Sequence, residues 1–371
     1  MIAKRYNFAA QFAGIAGAVE QAIGKALIDG NYILGPEVEA FEAEFAAFCQ
    51  VRNCVGMNSG TDALILALLA VGIGPGHRVA VQANTFYATV ASICLTGATP
   101  VLIDACPDTF LMDLEKLAAL DSIDAILPVH LYGLATDMGR TLEIARLQGA
   151  LVIEDCAQAH GAMWAGRPVG SFGRVGCFSF HPSKNLSAAG DAGGCVTSDA
   201  ELNERLRMLR HLGQVDQNDH RFIARNSRLD VIQSIVLRAK LPSLSAGNLR
   251  RREIAERYRA GLTGLPVKFQ AAGDPGEHVY HLFQLGSDCR DLLLDFLVSN
   301  GVDATVRYPL PIHLQPAFGH LGLAEGSFPV AERLARQLLC LPIRPDMSDD
   351  EVEFIVDTVR LYFERVAVNV D

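Results

Sequence analysis

Lysine is the scarcest charged residue in this 371-residue chain: six lysines stand against 26 arginines. Basic residues together are outnumbered 32 to 42 by acidic ones, which leaves a formal charge of −10. Phosphate-backbone binding needs a basic stripe, so this acidic balance argues against nucleic acid as a partner. A small anion held in a local pocket is not. The nine cysteines are odd in number and scattered, with no C-x-x-C pair. That argues against a disulfide framework, and they read as small buried hydrophobes of a reducing cytoplasm. Internal repeats and low-complexity segments are lacking. Met1-Ile-Ala-Lys-Arg-Tyr-Asn has no apolar run behind it, so no signal peptide is expected.

What the chain has in excess is apolar residues, 50% of the total, with a mean hydropathy of +0.21. The longest stretch without a formal charge, Val79 to Ile103, is long enough to span ~30 Å of hydrocarbon. It carries Gln82, Asn84 and Pro100, however, and its period changes from strand to helix to strand, so no membrane segment is expected. Short apolar runs alternate with amphipathic ones. Strands are expected at Asn53–Met57, Val79–Val81, Thr99–Ile103, Ala125–Val129 and Leu151–Asp155. Helices are expected at Glu37–Phe48, Thr61–Val71, Phe86–Leu95, 113–120 and 138–148. This alternation predicts an α/β fold with a largely parallel sheet covered by helices on both faces. Beyond Asp199 come helices at 200–211, 229–240 and Asn248–Leu262. A shorter unit follows, with a strand at Val279–Leu285 and helices near 291–299, 330–339 and 349–364. The reading divides the chain into a large domain, 1–245, and a smaller α+β domain, 246–371.

Lys184, in Phe178-Ser-Phe-His-Pro-Ser-Lys-Asn-Leu186, lies on no amphipathic helix face. A lysine in apolar surroundings has a depressed pKa and can form a Schiff base. Asp155 closes an apolar strand at its carboxyl end, where open α/β sheets place ligands. Such a lysine with a carboxylate that can keep a pyridinium nitrogen protonated is what pyridoxal 5'-phosphate requires. Ser59-Gly60-Thr61 opens a helix after a strand, a place where backbone N–H groups and hydroxyls hold a phosphate. Ser179 can add a hydroxyl there, and Phe86 an aromatic face for a ring. Singly, each has a plain structural reading: Asp155 as a turn residue, Ser179 as a strand serine, Phe86 as core.

Together these residues make the chain resemble the DegT/DnrJ/StrS sugar aminotransferases, fold-type I pyridoxal-phosphate enzymes. The matching segments run in order along nearly the whole length. They are Ser59-Gly-Thr-Asp-Ala-Leu, Ala83-Asn-Thr-Phe, Val129-His-Leu-Tyr-Gly, Glu154-Asp-Cys-Ala-Gln-Ala-His-Gly-Ala, Phe178-Ser-Phe-His-Pro-Ser-Lys-Asn-Leu, Gly190-Asp-Ala-Gly-Gly, Asn226-Ser-Arg-Leu-Asp, Tyr308-Pro-Leu-Pro-Ile-His and Leu341-Pro-Ile. The resemblance implies Lys184 as the Schiff-base lysine and Asp155 as partner of the ring nitrogen. It implies Gln158 at the ring hydroxyl and Phe86 stacked on the ring. Gly60, Thr61 and Ser179 take the phosphate, and Asn226 reaches it from a neighbouring subunit, which implies a homodimer with shared sites. The family's glycine two residues before that asparagine is Ala224 here. Arg307, Tyr308 and His313 lie in a matching motif and are candidates for substrate contact.

The reaction implied is ping-pong transfer of the amino group of L-glutamate, released as 2-oxoglutarate, to a nucleotide-linked keto sugar. Asn185-Leu-Ser-Ala-Ala-Gly-Asp-Ala-Gly193 looks like the branch that aminates carbon 3; amination at carbon 4 stays open. Lys184 disfavours the branch that carries histidine there and dehydrates its substrate. Two readings from other classes also stay open. One is a cofactor-binding regulator without activity. The other is a metal hydrolase drawing on His130, Asp155, His160 and His181, although these show no familiar ligand spacing.

Overall fold

The computed structural model describes residues 2–368. Seven strands form the large sheet: β1 Asn53–Met57, β2 Arg78–Gln82, β3 Thr99–Ile103, β4 Ala125–Leu127, β5 Leu151–Asp155, β6 Val175–Ser179 and β7 Gly193–Thr197, in the spatial order β1-β7-β6-β5-β4-β2-β3. All neighbours are parallel except those of β7, which runs antiparallel to both β1 and β6. The mostly parallel α/β sheet expected from the sequence is therefore present. The strand expected to reach Val129 stops at Leu127. Pro128 has no N–H to continue the ladder, and its carbonyl accepts the Asp155 N–H instead.

Helices α1 Ala16–Asp29, α2 Pro36–Phe48, α3 Gly60–Ala70, α4 Tyr87–Leu95, α5 Leu114–Ala118, α6 Met138–Gln148, α7 Ala200–Arg210 and α8 Val231–Lys240 connect or cover these strands. Pro36 supplies the first position of α2, where a missing N–H costs nothing. The Ser59 hydroxyl caps α3 by accepting the Asp62 N–H at 3.1 Å. Helix α3 is apolar nearly all round, and seven of its eleven residues are buried between the sheet and α4 and α7. Part of the chain's hydrophobicity goes there. Among the described residues no helix is long and apolar enough to cross a membrane.

After α9 Leu244–Gly261, a second sheet forms from β8 Lys268–Phe269, β9 Phe283–Gly286 and β10 Leu338–Leu341, all antiparallel, with α10 Arg290–Ser299, α11 Pro329–Gln337 and α12 Asp349–Val368. Two sequence expectations differ here. The strand expected from Val279 starts only at Phe283, because Tyr280 sits at φ 44° and the N–H groups of Val279 and Leu282 bond to Gly133 and Tyr132 of the large unit. Helix α11 ends at Gln337, where Leu338-Leu-Cys-Leu turns into a fully buried strand. The first residues join this unit too: Ala3 is buried and bridges Val302.

Candidate active site

The site lies at the carboxyl ends of the parallel strands, where the sheet leaves a crevice. A cavity of about 350 Å³ is lined there by Ser59, Gly60, Thr61, Phe86, Asp155, Gln158, Ser179, Lys184, Arg307 and Tyr308, among others. The structure thus brings nine of the eleven residues singled out from the sequence to one cavity. Asn226 and His313 are not among its walls.

Asp155 ends β5 and is almost completely buried. Its Oδ2 accepts the Thr89 hydroxyl at 2.8 Å, and its Oδ1 accepts the Ala157 N–H at 3.1 Å. Burial pushes its carboxyl above the usual range. Those two hydrogen bonds, and then the charges of Lys184 and His130, pull it back. Lys184 lies on the loop after β6, its N–H bonded to the His181 carbonyl. Burial brings its amine down to about 8, against the pull of the Asp155 carboxylate, and Arg307 adds to the depression. A buried carboxylate and a lysine with a lowered pKa share one cavity wall, the pairing expected at a reactive site.

The other end of the cavity is a turn too tight for side chains. A Cβ added to Gly60 would stand 2.5 Å from the Ser179 Cβ, and one on Gly193 would stand 2.3 Å from the Ser59 carbonyl carbon. Two glycines therefore let the α3 N-terminus, with the Ser59 and Thr61 hydroxyls, close against the end of β6. This is a cradle of N–H groups and hydroxyls at a positive helix end.

Gln158 spans the cavity wall. Its Oε1 accepts the Tyr132 N–H and its Nε2 donates to the Tyr308 hydroxyl, both at 2.7 Å. Tyr132 and Tyr308 stack at 6.0 Å and both hold positive φ, 63° and 58°. Left-handed backbone at two bulky residues persists only where the surroundings over-determine it. Phe86 caps α4 with its ring half exposed at the cavity and 6.1 Å from Tyr308. Arg307 donates to the Tyr6 hydroxyl at 2.5 Å.

Asn226 is exposed on the segment between α7 and α8, bridging His211. Ala224, which stands at the family's glycine position, is not among the residues with positive φ, so the alanine costs no backbone strain. His313 is turned away from the site. It is buried, with Nε2 2.9 Å from Glu332 and its ring against Phe328. The histidines of the hydrolase reading do not converge. His181 is at the cavity mouth, His160 is packed against Phe178 and Phe180, and His130 lies beside Glu154. Among the described residues, His130, Glu154 and Cys156 do place donor atoms close together. Two of the three are already engaged, however. Glu154 accepts N–H groups from Gly170, Phe172 and Gly173, and His130 Nδ1 accepts that of Thr136.

Sequence reasoning missed Thr89, Tyr132 and Glu154. Thr89 carried a signal: it lies in the first turn of α4, three residues after the capping Phe86.

A mostly parallel sheet with a lysine after one strand, an aspartate ending the next and a glycine-bounded helix start defines the architecture of a fold-type I aminotransferase. The chain belongs to the DegT/DnrJ/EryC1/StrS aminotransferase family, whose model matches residues 15–360. It is 43% identical over 360 residues to the dTDP-3-amino-3,4,6-trideoxy-alpha-D-glucose transaminase of Streptomyces venezuelae, covering 96% of this chain and 95% of that one. It is also 43% identical over 353 residues to the UDP-N-acetyl-3-dehydro-alpha-D-glucosamine 3-aminotransferase of Acidithiobacillus ferrooxidans, with 95% of each chain covered. The crystal structure of S. venezuelae DesV in complex with a ketimine intermediate superposes with a TM-score of 0.95 at 42% identity, covering 98% of this chain and 99% of that one.

Proposed function

We propose that this enzyme uses pyridoxal 5'-phosphate to move the amino group of L-glutamate to a nucleotide-linked 3-keto sugar. The observation that carries the reading is the convergence of Lys184, Asp155 and the glycine-bounded cradle on one cavity. The residues fit the cofactor by their chemistry. The cradle would take the phosphate, Asp155 the ring nitrogen, Gln158 the ring hydroxyl and Phe86 a ring face, and Lys184 would offer the amine. When bound, the cofactor supplies an electron sink that lets the substrate's α-proton leave.

The chain's own residues do the rest. Lys184 Nζ, held near neutrality, accepts the proton released from the donor's α-carbon and returns it on the other side of the exchange. Asp155, fixed by Thr89 and Ala157, presents a negative charge that keeps the ring nitrogen protonated. Arg307, for which no ion pair is found among the described residues, is the cation available at the cavity for a donor carboxylate. The glutamate and sugar half-reactions alternate in one cavity, which makes the kinetics ping-pong.

The carbon-3 assignment is supported by two relatives at 43% identity whose names specify 3-amino products or 3-dehydro substrates. The test is the amino form of the enzyme offered dTDP- and UDP-linked 3-keto and 4-keto sugars. A 3-keto sugar is expected to be consumed fastest. Preference for a 4-keto sugar would overturn the position, and no turnover with any would overturn the class.

A second copy of the chain completes the proposal. Asn226 is exposed outside its own cavity, as a residue serving a neighbour's phosphate would be. Leu27 and Ile28 of α1 and the Tyr32–Ile33 segment are exposed, and Ile33 bridges Asp230, four residues along the chain from Asn226. That apolar surface needs a partner.

Because the Lys184 amine is neutral only above its pKa, uptake of pyridoxal 5'-phosphate by apoprotein should rise with pH. The rate should climb about tenfold per unit up to about pH 8 and level off above it. An ordinary lysine would still be climbing at ~10. Stopped-flow absorbance across pH 6–10 reads this directly, and a profile still rising at the upper end would mean the amine is not depressed.

A further inference from the structure

A second cavity, of about 150 Å³, opens beside the first and shares Tyr6, Lys184, His281 and Arg307 with it. It lies between the amino-terminal segment, the α8–α9 junction and the end of β10. Its charges are unbalanced. Besides Lys184, its walls carry Lys240, Arg251 and Arg307, none with an ion-pair partner among the described residues. Arg5 and Arg344, also in its walls, are matched by Asp303 and by Asp346 and Glu351. Among the described residues the one carboxylate lining the cavity is Asp346; it is already bonded to Arg344 and to the Asn7 amide, and its charge also reaches Arg251.

Lys240 stands out. It is nine-tenths buried at the end of α8 and donates only to neutral oxygens, Gln11 Oε1 at 2.9 Å and the Ser187 hydroxyl at 3.3 Å, with its ammonium 4.2 Å from the Phe12 ring. Burial without a counter-charge lowers its amine to about 8. Arg251 is equally buried and spends one guanidinium nitrogen on the Tyr280 and Ile343 carbonyls. Buried cations are ordinarily paired, because desolvating a lone charge is costly. Two of them around a cavity, neither in an ion pair among the described residues and with Asp346 shared between Arg344 and Asn7, mark the place of an anion that arrives from outside.

We propose that this second cavity binds the side-chain carboxylate of the amino donor, with Lys240 as its principal contact, and so selects a dicarboxylic amino acid. The inference rests on the glutamate-dependent reading above and extends it to the residues that choose glutamate. The size agrees. A void of about 150 Å³ holds a ligand of about six heavy atoms, such as benzene. The five-atom propionate arm of glutamate fits that volume, and a nucleoside diphosphate does not. Arg307, common to both cavities, sits where the donor's other carboxylate would be left.

The test compares wild type with Lys240→Gln as holoenzymes. Wild type should bind glutarate at least about tenfold more tightly than butyrate by calorimetry, and the variant should lose that preference. In donor kinetics, the variant should lose at least about tenfold in kcat/KM for L-glutamate while L-alanine, which has no side-chain carboxylate, changes less than about twofold. Its melting temperature should not fall, since an unpaired buried charge has been removed. Wild type without preference for glutarate would overturn the proposal. So would equal losses for glutamate and alanine, which would make Lys240 structural. Glutarate binding that depends on Lys240, in an enzyme that takes no nitrogen from glutamate, would keep the anion site and refute the donor reading instead.

Discussion

Lys184→Ala is expected to lower turnover by at least about 10⁴-fold while leaving the protein folded. The two halves of that expectation rest on different observations. The loss follows from Lys184 being the amine at the cavity that is neutral enough near pH 8 to exchange a proton with carbon. His181, Tyr308 and the cradle hydroxyls also line the cavity. However, burial pushes the Tyr308 hydroxyl well above its ordinary range and lowers the His181 imidazole, so neither replaces an amine that must also join a carbonyl. The fold survives because the loop is held by other atoms. The Asn185 amide donates to Asn248 Oδ1 at 2.9 Å and to the Val279 carbonyl at 3.1 Å. The side chain removed was disfavoured by its own burial. Cofactor should still be retained by the cradle and Asp155, now without a covalent link, and should be released on gel filtration more readily than from wild type. Full activity in this variant would remove Lys184 from the chemistry. A melting temperature lowered by many degrees would instead show a structural role.

The parts of this site that could be read from the sequence are those in which residue type and local spacing carry the chemistry. Strand β5 is an apolar run closed by Asp155, Ser59-Gly60-Thr61 is a helix start, and Lys184 follows a strand with no amphipathic pattern to explain it. Each is a local fact, and the parallel sheet gathers them because ligands collect at the carboxyl ends of its strands. The parts that could not be read depend on contacts between distant segments. Glu154 looks like one more acidic residue beside Asp155, yet it organises the 170–173 loop through three N–H groups. The left-handed backbone at Tyr132 and Tyr308 has no glycine to announce it. His313 shares a motif with Tyr308 but is carried away by a short helical turn, Ile312–Leu314, and buried against Glu332. The expected strand at Val279 fails for a similar reason, since its backbone pairs with Tyr132 and Gly133 of the other unit. Lys240, at the end of an ordinary amphipathic helix, gains meaning only when Gln11 and Phe12 fold over it from more than 200 residues away. In each case the local pattern was a valid reading and the tertiary contact overrode it.

Asp155→Asn is expected to cost about 10² to 10³-fold in kcat, the size of losing one preorganised charge at a centre where charge develops. The substitution is nearly isosteric, so the position of the side chain under Thr89 and Ala157 is kept and only the negative charge goes. In wild type, burial works against that charge. The carboxyl sits above its ordinary range until a cation approaches, and a protonated ring nitrogen is such a cation. A neutral amide cannot hold that proton, and the electron sink weakens accordingly. Folding should be unharmed or slightly improved, because a desolvated carboxylate has been replaced by a neutral group. Thr89→Val separates charge from positioning. It leaves the carboxylate but removes a hydrogen bond of 2.8 Å, and should cost only about tenfold. If Asp155→Asn and Thr89→Val lost activity equally, Asp155 would be acting through geometry and not charge. If Asp155→Asn kept wild-type kcat, the ring nitrogen would have no partner here and the cofactor assignment itself would fail.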